Sequence, residues 1–228
     1  MKILAITPAR GGSKGVPKKN IKLLNGKPLL QYTVDAVKGC PSITKYIINT
    51  EDKEIEKVAK SLGVETQNRP KEFWFDNTFQ EVDRLLQWSV KEIESKGEKI
   101  DVVVLLYATA PLRQSHSITD CIDLIVNKGF DSSLTLFEDR SYLWKRSSDS
   151  ENVIPTNYNP KTRGPNQLEK WNQWVENKAV YAMKRDLLME SGCRLGGKIG
   201  FVPMNKLESI DIDTIEDFTL VETILNFK

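Results

Sequence analysis

The sequence contains a single histidine, His116, among 228 residues. One histidine excludes Ser-His-Asp triads, Cys-His nucleophile pairs and multi-histidine metal sites together. His116 lies between two serines where a helix is expected to begin, so we interpret it as a surface or capping residue. Any catalysis must therefore use carboxylates, lysine, arginine or a metal ion.

Cysteines and long apolar runs are also scarce. Cys40, Cys121 and Cys193 are an odd number, widely spaced and without a C-x-x-C pair, which argues against a disulfide framework or a thiolate zinc site. The apolar start at Ile3 is interrupted by Thr7, and no run approaches the ~18 apolar residues of a membrane span. We predict a soluble protein in a reducing, cytoplasmic compartment, with no membrane partner.

A net charge of one dominant sign is missing too. The 33 lysines and arginines nearly balance the 31 acidic residues, which leaves a formal charge of +2. No global field therefore draws the chain to nucleic acid or to a membrane surface. Any cationic site must be local.

One stretch, Ala9 to Asn20, has a local excess of positive charge. It reads ARGGSKGVPKKN and directly follows the apolar run that predicts the first strand. It matches neither the Walker A motif nor the dinucleotide fingerprint. Its glycines and cations suit a loop that binds phosphate. A basic turn that is simply solvated is the alternative, because glycine and lysine content alone does not distinguish the two. The glycines are Gly11, Gly12 and Gly15, and the cations are Arg10, Lys14, Lys18 and Lys19.

Strand-like and helix-like segments alternate through residue 137. The unbroken apolar run Val102 to Leu106 predicts a central parallel strand covered on both faces. The pattern indicates a doubly wound, mostly parallel, Rossmann-like α/β sheet, whose ligands lie beyond the carboxyl ends of the strands. The predicted helices are Pro28–Val37, Glu51–Ser61, Asn77–Glu94, Ser115–Asn127 and Ile215–Phe227, and the other predicted strands are Lys45–Asn49, Val64–Thr66, Ser132–Phe137 and Ala179–Met183.

The pattern breaks between about residues 138 and 175. This stretch is polar, rich in proline and asparagine, and poor in positions that could form a core. We predict one domain, 1–228, that carries an inserted arm or lid here. Trp144, Trp171 and Trp174 in or beside it favour a partner surface, with packing of the arm onto its own sheet as the alternative.

Near the end of the chain, residues 209–214 read SIDIDT and alternate apolar with acidic residues. As a strand end, this would place Asp211 and Asp213 on one face, ~7 Å apart. Two carboxylates suit magnesium when substrate phosphates complete the ligand shell. The simpler interpretation is that Asp213 or Thr214 caps the final helix, with Asp217 completing a capping box, but this leaves Asp211 without a role.

Four motifs occur in one order: ARGGSKGVPKKN, LLYATAPLR, ENKAVYAM at Glu176 to Met183, and SIDIDTIEDF. Together the sequence resembles the acylneuraminate cytidylyltransferases, from Ile3 to Leu225. The first and last motifs are the most specific. The family comprises CMP-sialic acid synthetases and their relatives for other nonulosonic acids.

The resemblance implies transfer of CMP from CTP to the anomeric hydroxyl of a nonulosonic acid, with magnesium on Asp211 and Asp213. It also implies a homodimer whose arm lends residues to the neighbouring subunit's sugar pocket. By this resemblance Arg10, Lys19 and Asp211 are the catalytic candidates. The implied CTP-binding residues are Arg10, Gly11, Gly12, Ser13, Lys14, Lys19, Asn20, Arg69 and Gln80, and the implied sugar-binding residues are Tyr107, Arg163, Gln167, Asn177 and Tyr181.

The sequence departs from the family pattern mainly on the sugar side. Tyr107 stands where glutamine is usual, Lys178 replaces the glycine of the N-G-A stretch, and Asn77 replaces a threonine. Two alternatives stay open: the same fold acting on Kdo or a sugar 1-phosphate, and a CTP-binding sensor or assembly module without chemistry. The acid pair argues against the second, because metal-ligating carboxylates serve binding alone poorly.

Overall fold

The computed structural model describes residues 1–13, 15–74, 81–148, 151–162 and 172–227, and strands and helices alternate along most of them. The strands are β1 (Ile3–Pro8), β2 (Leu23–Leu24), β3 (Lys27–Pro28), β4 (Lys45–Thr50), β5 (Glu65–Asn68), β6 (Val102–Leu106), β7 (Ser132–Glu138), β8 (Trp144–Arg146), β9 (Val153–Pro155), β10 (Trp174–Lys184) and β11 (Ile199–Pro203). The helices are α1 (Leu29–Lys38), α2 (Lys53–Ser61), α3 (Glu81–Glu94), α4 (Ser115–Val126), α5 (Arg185–Ser191) and α6 (Ile215–Asn226).

Seven strands form the main sheet, in the order β11-β7-β10-β6-β1-β4-β5. Neighbouring strands pair in parallel except at β10, which is antiparallel to both β6 and β7. The prediction of a mostly parallel, Rossmann-like α/β sheet is therefore confirmed. The reversed β10 was not predicted, because side-chain periodicity is the same for both strand directions.

Strand β6 explains why the sheet has helices on both faces. All five of its side chains are buried. Val104 packs with Ile118 of α4 on one face, and Val103 packs with Leu86 of α3 on the other. Each face thus buries a separate apolar cluster, as a central strand of a doubly wound sheet requires.

The predicted boundaries agree with the structure to within a few residues for most elements. Helix α1 begins after Pro28, and β6 spans the predicted residues. Helix α3 is described from Glu81, while residues 77–80 of the predicted helix lie outside the described residues. The short elements α5 and β11 were not predicted, because seven and five residues carry little periodic signal. The single-domain organisation stays a prediction.

The stretch between β7 and β10 contains a hairpin separate from the main sheet. Strands β8 and β9 pair antiparallel, with Trp144 opposite Pro155. Leu143, Trp144, Val153 and Ile154 are all exposed. Residues 149–150 and 163–171 of this stretch, including Trp171, lie outside the described residues.

Within the described residues, no helix combines the length and the apolar composition needed to cross a bilayer.

Helix α6 is fixed at its start by a reciprocal cap. The Thr214 side chain accepts a hydrogen bond from the Asp217 amide, and the Asp217 carboxylate accepts one from the Thr214 amide at 2.8 Å. The capping box predicted from the sequence is therefore confirmed. Since Thr214 and Asp217 perform the capping, neither Asp211 nor Asp213 is needed for it.

Replacing Thr214 with alanine removes one side of this cap. We expect the T214A variant to lose about 1 kcal/mol of unfolding free energy. Urea denaturation followed by circular dichroism measures the loss. The matched control is Thr219→Ala, an exposed position inside the same helix, where alanine's higher helix propensity should keep stability unchanged or raise it. Equal losses in both variants would contradict the capping role.

Candidate functional site

A cleft of about 350 Å³ opens at the carboxyl ends of β1, β5 and β6. The loops after these strands meet the segment before α6 and one residue of β10. This is the edge at which a doubly wound sheet binds its ligands. The lining residues are Pro8, Arg10, Ser13, Gly15, Lys19, Asn20, Arg69, Phe73, Glu81, Val82, Leu85, Tyr107, Thr109, Lys178, Asp211 and Asp213.

The loop after β1 forms one wall of the cleft. Buried Asn20 donates from its side-chain amide to the carbonyl oxygen of Arg10 at 3.0 Å, which ties the end of the loop to its beginning. Gly15 lies so close to the carbonyl oxygen of Asp213 that a Cβ atom there would clash. Glycine at this position therefore lets the loop backbone contact the acidic segment directly.

Other loop residues predicted to hold phosphate point elsewhere. The Gly11 amide donates to the Glu51 carboxylate at 2.8 Å, and neither Gly11 nor Gly12 lines the cleft. The Lys18 ammonium forms an ion pair with Glu54 at 2.6 Å, away from the cleft. Lys14 lies outside the described residues. The predicted loop residues that reach the cleft, among those the structure describes, are Arg10, Ser13, Gly15, Lys19 and Asn20.

The acidic segment faces this wall. Residues 209–214 form no strand, so the expected strand end is wrong, because the segment pairs with a loop instead of a sheet edge. The Ile212 amide donates to the carbonyl oxygen of Thr109 at 2.8 Å, and the Ile212 side chain is fully buried. The alternation still holds, since Asp211 and Asp213 both line the cleft.

Two lysines contact the acid pair. The Lys19 ammonium donates to the carbonyl oxygen of Ile212 at 2.6 Å and lies 3.3 Å from Asp213 Oδ1. The Lys178 ammonium lies 2.9 Å from Asp211 Oδ2 and 3.5 Å from Asp213 Oδ2. The hydrogen bond to Asp211 raises the pKa of Lys178 above its usual value, so this lysine stays charged at neutral pH.

The acid pair fits a magnesium ion that is completed by substrate phosphates. Asp211 Oδ1 is buried without a hydrogen-bond partner, which is costly unless a ligand meets it. Among the described residues, no group of three or more histidine, cysteine or acidic side chains could hold a metal by itself. Two carboxylates plus phosphate oxygens are a donor set that magnesium accepts.

Arg69 forms the wall on the β5 side. It is buried, its Nη1 donates to the carbonyl oxygen of Phe73 at 3.3 Å, and its Nε lies 3.8 Å from Glu51 Oε2. The predicted neighbour Gln80 lies outside the described residues, whereas Glu81 at the start of α3 lines the cleft and was not predicted.

Tyr107 lines the cleft at the end of β6. Its hydroxyl accepts a hydrogen bond from Arg194 Nη1 at 2.8 Å, and its ring meets the ring of Tyr181 edge-on at 6.3 Å. Burial raises the pKa of Tyr107, so the phenol stays neutral and can donate a hydrogen bond. Tyr181 does not line the cleft; its hydroxyl donates to Glu176. Arg194, which also pairs with Asp83 at 2.7 Å, was not predicted.

The arrangement suits a triphosphate chain against one wall and a metal ion against the other. A family model described as Cytidylyltransferase matches residues 4–223. The chain belongs to the cytidylyltransferase family. This match and the relatives described next together confirm the predicted resemblance to the acylneuraminate cytidylyltransferases.

The names of individual relatives point to the same family. N-acylneuraminate cytidylyltransferase A from Danio rerio is 30% identical over 222 residues, which are 96% of this chain but 50% of the fish protein. The chain therefore spans about half the length of that relative. CMP-N,N'-diacetyllegionaminic acid synthase from Legionella pneumophila is 29% identical over 244 residues, covering 100% of this chain and 98% of that protein.

Solved structures share the fold. CMP:2-keto-3-deoxy-manno-octonic acid synthetase complexed with CTP superimposes with a TM-score of 0.70 at 15% identity, covering 99% of both chains. A 4-diphosphocytidyl-2C-methyl-D-erythritol synthase gives 0.72 at 13% identity, covering 98% of both chains. At these identities the likeness concerns the fold alone.

Asn177, predicted to bind sugar, is buried and does not line the cleft. Its Oδ1 accepts hydrogen bonds from the Thr135 hydroxyl at 2.6 Å and the Ala179 amide at 3.1 Å. Its Nδ2 donates to the Ser209 hydroxyl at 2.9 Å. The side chain thus joins β10 to β7 and to the start of the acidic segment.

Arg113 has a similar supporting position that the sequence did not indicate. It is buried, and its Nη1 donates to the carbonyl oxygens of Tyr107 at 3.0 Å and Ala179 at 2.8 Å. Burial lowers the pKa of Arg113 to about 10. The guanidinium stays charged at neutral pH and holds the loop after β6 against β10. Arg163 and Gln167, the predicted sugar residues of the arm, lie outside the described residues.

Replacing Asn177 with alanine should destabilise the protein. We expect the N177A variant to lose about 2–3 kcal/mol of unfolding free energy, because several buried polar groups lose their partner. Urea denaturation without substrate measures this. The control Asn127→Ala removes an exposed amide that donates to Asp123 and should cost less than about 0.5 kcal/mol. Unchanged stability in N177A would contradict the structural role and favour a sugar contact alone.

Proposed function

We propose that this chain transfers CMP from CTP to the anomeric hydroxyl of a nonulosonic acid and releases pyrophosphate. The observation that carries the proposal is that Arg10 and Lys19 of the first loop and the pair Asp211 and Asp213 line one cleft. Cations opposite carboxylates are what a triphosphate and its metal ion require. The family membership supports the same reaction class.

The residues of the chain act mainly by positioning and charge neutralisation. Arg10, Ser13, Lys19 and Asn20 bind the nucleotide, with Arg10 and Lys19 offsetting the charge that develops on the departing pyrophosphate. Asp211 and Asp213 would hold magnesium, which would supply polarisation of the α-phosphate. Arg69 closes the nucleotide side of the cleft. The sugar oxygen forms the new bond to the α-phosphorus as the bond to the β-phosphate oxygen breaks, so no covalent enzyme intermediate is required.

The sugar acceptor would lie near Tyr107. The name of the Legionella relative refers to a nonulosonic acid, which supports this class of acceptor. A neutral phenol that is held by Arg194 can donate to a sugar hydroxyl or carboxylate. Tyr181 and Asn177 act through Tyr107 and the backbone of β10. The fold neighbour titled as a 2-keto-3-deoxy-manno-octonic acid synthetase keeps Kdo as an alternative acceptor.

We also infer that two copies associate through the arm, residues 138–175. Four large apolar side chains of the β8–β9 hairpin, Leu143, Trp144, Val153 and Ile154, are exposed, and this supports the inference because exposed large apolar side chains favour a protein partner. Arg163 and Gln167 would then reach the neighbouring copy's sugar pocket. A cytoplasmic location is consistent with three free cysteines among the described residues.

A panel of acceptors tests the function. Pyrophosphate release is measured with CTP and magnesium in the presence of Neu5Ac, legionaminic acid, pseudaminic acid, Kdo or a sugar 1-phosphate. We expect turnover with at least one nonulosonic acid and little with the sugar 1-phosphate. Turnover with Kdo alone would favour the alternative acceptor, and CTP binding without any turnover would favour a sensor.

The acid pair gives a second test. Asp211→Asn and Asp213→Asn should each lower turnover at least about a hundredfold at every magnesium concentration, since a neutral amide cannot replace a carboxylate ligand. The matched control is Glu216→Gln, which removes an exposed carboxylate from the first turn of α6. Undiminished turnover in both aspartate variants would remove the metal assignment.

A further inference from the structure

Lys178 occupies the space between the two aspartates. Its ammonium lies 2.9 Å from Asp211 Oδ2 and 3.5 Å from Asp213 Oδ2. A magnesium ion held by the same two carboxylates would bring a second positive charge beside this ammonium. Like charges that share two carboxylates repel each other, so the ammonium and a metal ion compete for the acid pair.

The backbone indicates that lysine is held at this position by its side-chain contacts. Lys178 has a φ of 57°, in the left-handed region that favours glycine, and it lies at a register shift of β10. A lysine here has a conformational cost that glycine would avoid. Its ion pairs with Asp211 and Asp213 offset that cost, while the neighbouring Asn177 anchors the strand independently.

The charges near the acid pair already balance without a metal. Asp211 and Asp213 face the ammonium groups of Lys178 and Lys19. Lys19 is fixed, since its side chain is 12% exposed and bonded to a backbone carbonyl. Lys178 is 53% exposed and lines the open cleft, so it is the cation that can leave.

We propose that Lys178 is a built-in counter-ion that closes the metal site of the nucleotide-free protein. A divalent cation can bind the acid pair only when Lys178 turns away. The triphosphate supplies a new anionic partner for Lys178 and so draws its ammonium away from the aspartates. Metal binding is therefore coupled to nucleotide binding. This inference rests on the metal site of the proposed function and adds that the metal ion binds together with the nucleotide, not before it.

The experiment measures Mn²⁺ binding to the nucleotide-free protein by electron paramagnetic resonance, with no sugar and no turnover. Lys178→Gly removes the charge and relieves the backbone, so this variant should fold, and Lys178→Met keeps the length. Both should bind Mn²⁺ at least about tenfold more tightly than the wild type. Lys178→Arg keeps the charge and should remain within about twofold of the wild type.

The matched control is Lys184→Met, which lies on the same strand, is 45% exposed and pairs with Asp131 at 2.8 Å outside the cleft. It should leave Mn²⁺ affinity unchanged. Adding Asp211→Asn to Lys178→Gly should abolish the gain. Affinities of K178G and K178M within twofold of the wild type, or a gain that survives Asp211→Asn, would overturn the proposal. The panel of sugar acceptors tests the transferase function separately, because the Mn²⁺ measurement involves no sugar and no turnover.

Discussion

The hydrogen bond from the Lys19 ammonium to the carbonyl oxygen of Ile212 joins two loops that are 193 residues apart in sequence. It holds the loop after β1 against the acidic segment, and the contact between Gly15 and the Asp213 carbonyl joins the same two walls of the cleft through the backbone. Without these two contacts, the cations and the carboxylates would lie on separate solvated surfaces. With the contacts, they form one site in which the opposite charges neutralise each other.

Acidic side chains hold part of the basic loop away from the cleft. Lys18 is held by Glu54 and the Gly11 amide by Glu51, so acidic side chains near α2 orient part of the loop. The other two cations in the described part of the loop, Arg10 and Lys19, line the cleft. An ion pair outside the cleft thus neutralises one of the loop cations. The number of lysines in the sequence therefore overstates the positive charge that a ligand meets in the cleft.

The far side of the cleft depends on buried polar contacts. Arg113 and Asn177 connect β10 to the loop after β6 and to the acidic segment. Tyr107 is held by Arg194 and packs on Tyr181. Under the proposed placement of the sugar near Tyr107, Arg113 and Arg194 would influence substrate preference without touching the sugar, because each sets the position of Tyr107.

The sequence by itself determined the fold class, the positions of most helices and strands, the capping of α6 and the family. These follow from local periodicity, capping chemistry and ordered motifs, all of which a linear chain displays. It also brought Arg10, Lys19, Asp211 and Asp213 forward as one set. Only the tertiary structure decided which polar residues face the cleft: Asn177 and Tyr181 turn into the protein, while Lys178 turns out between the aspartates. The physical reason is that the direction of a side chain depends on long-range partners, such as Ser209 for Asn177 and Asp211 for Lys178, which residue type and spacing do not encode.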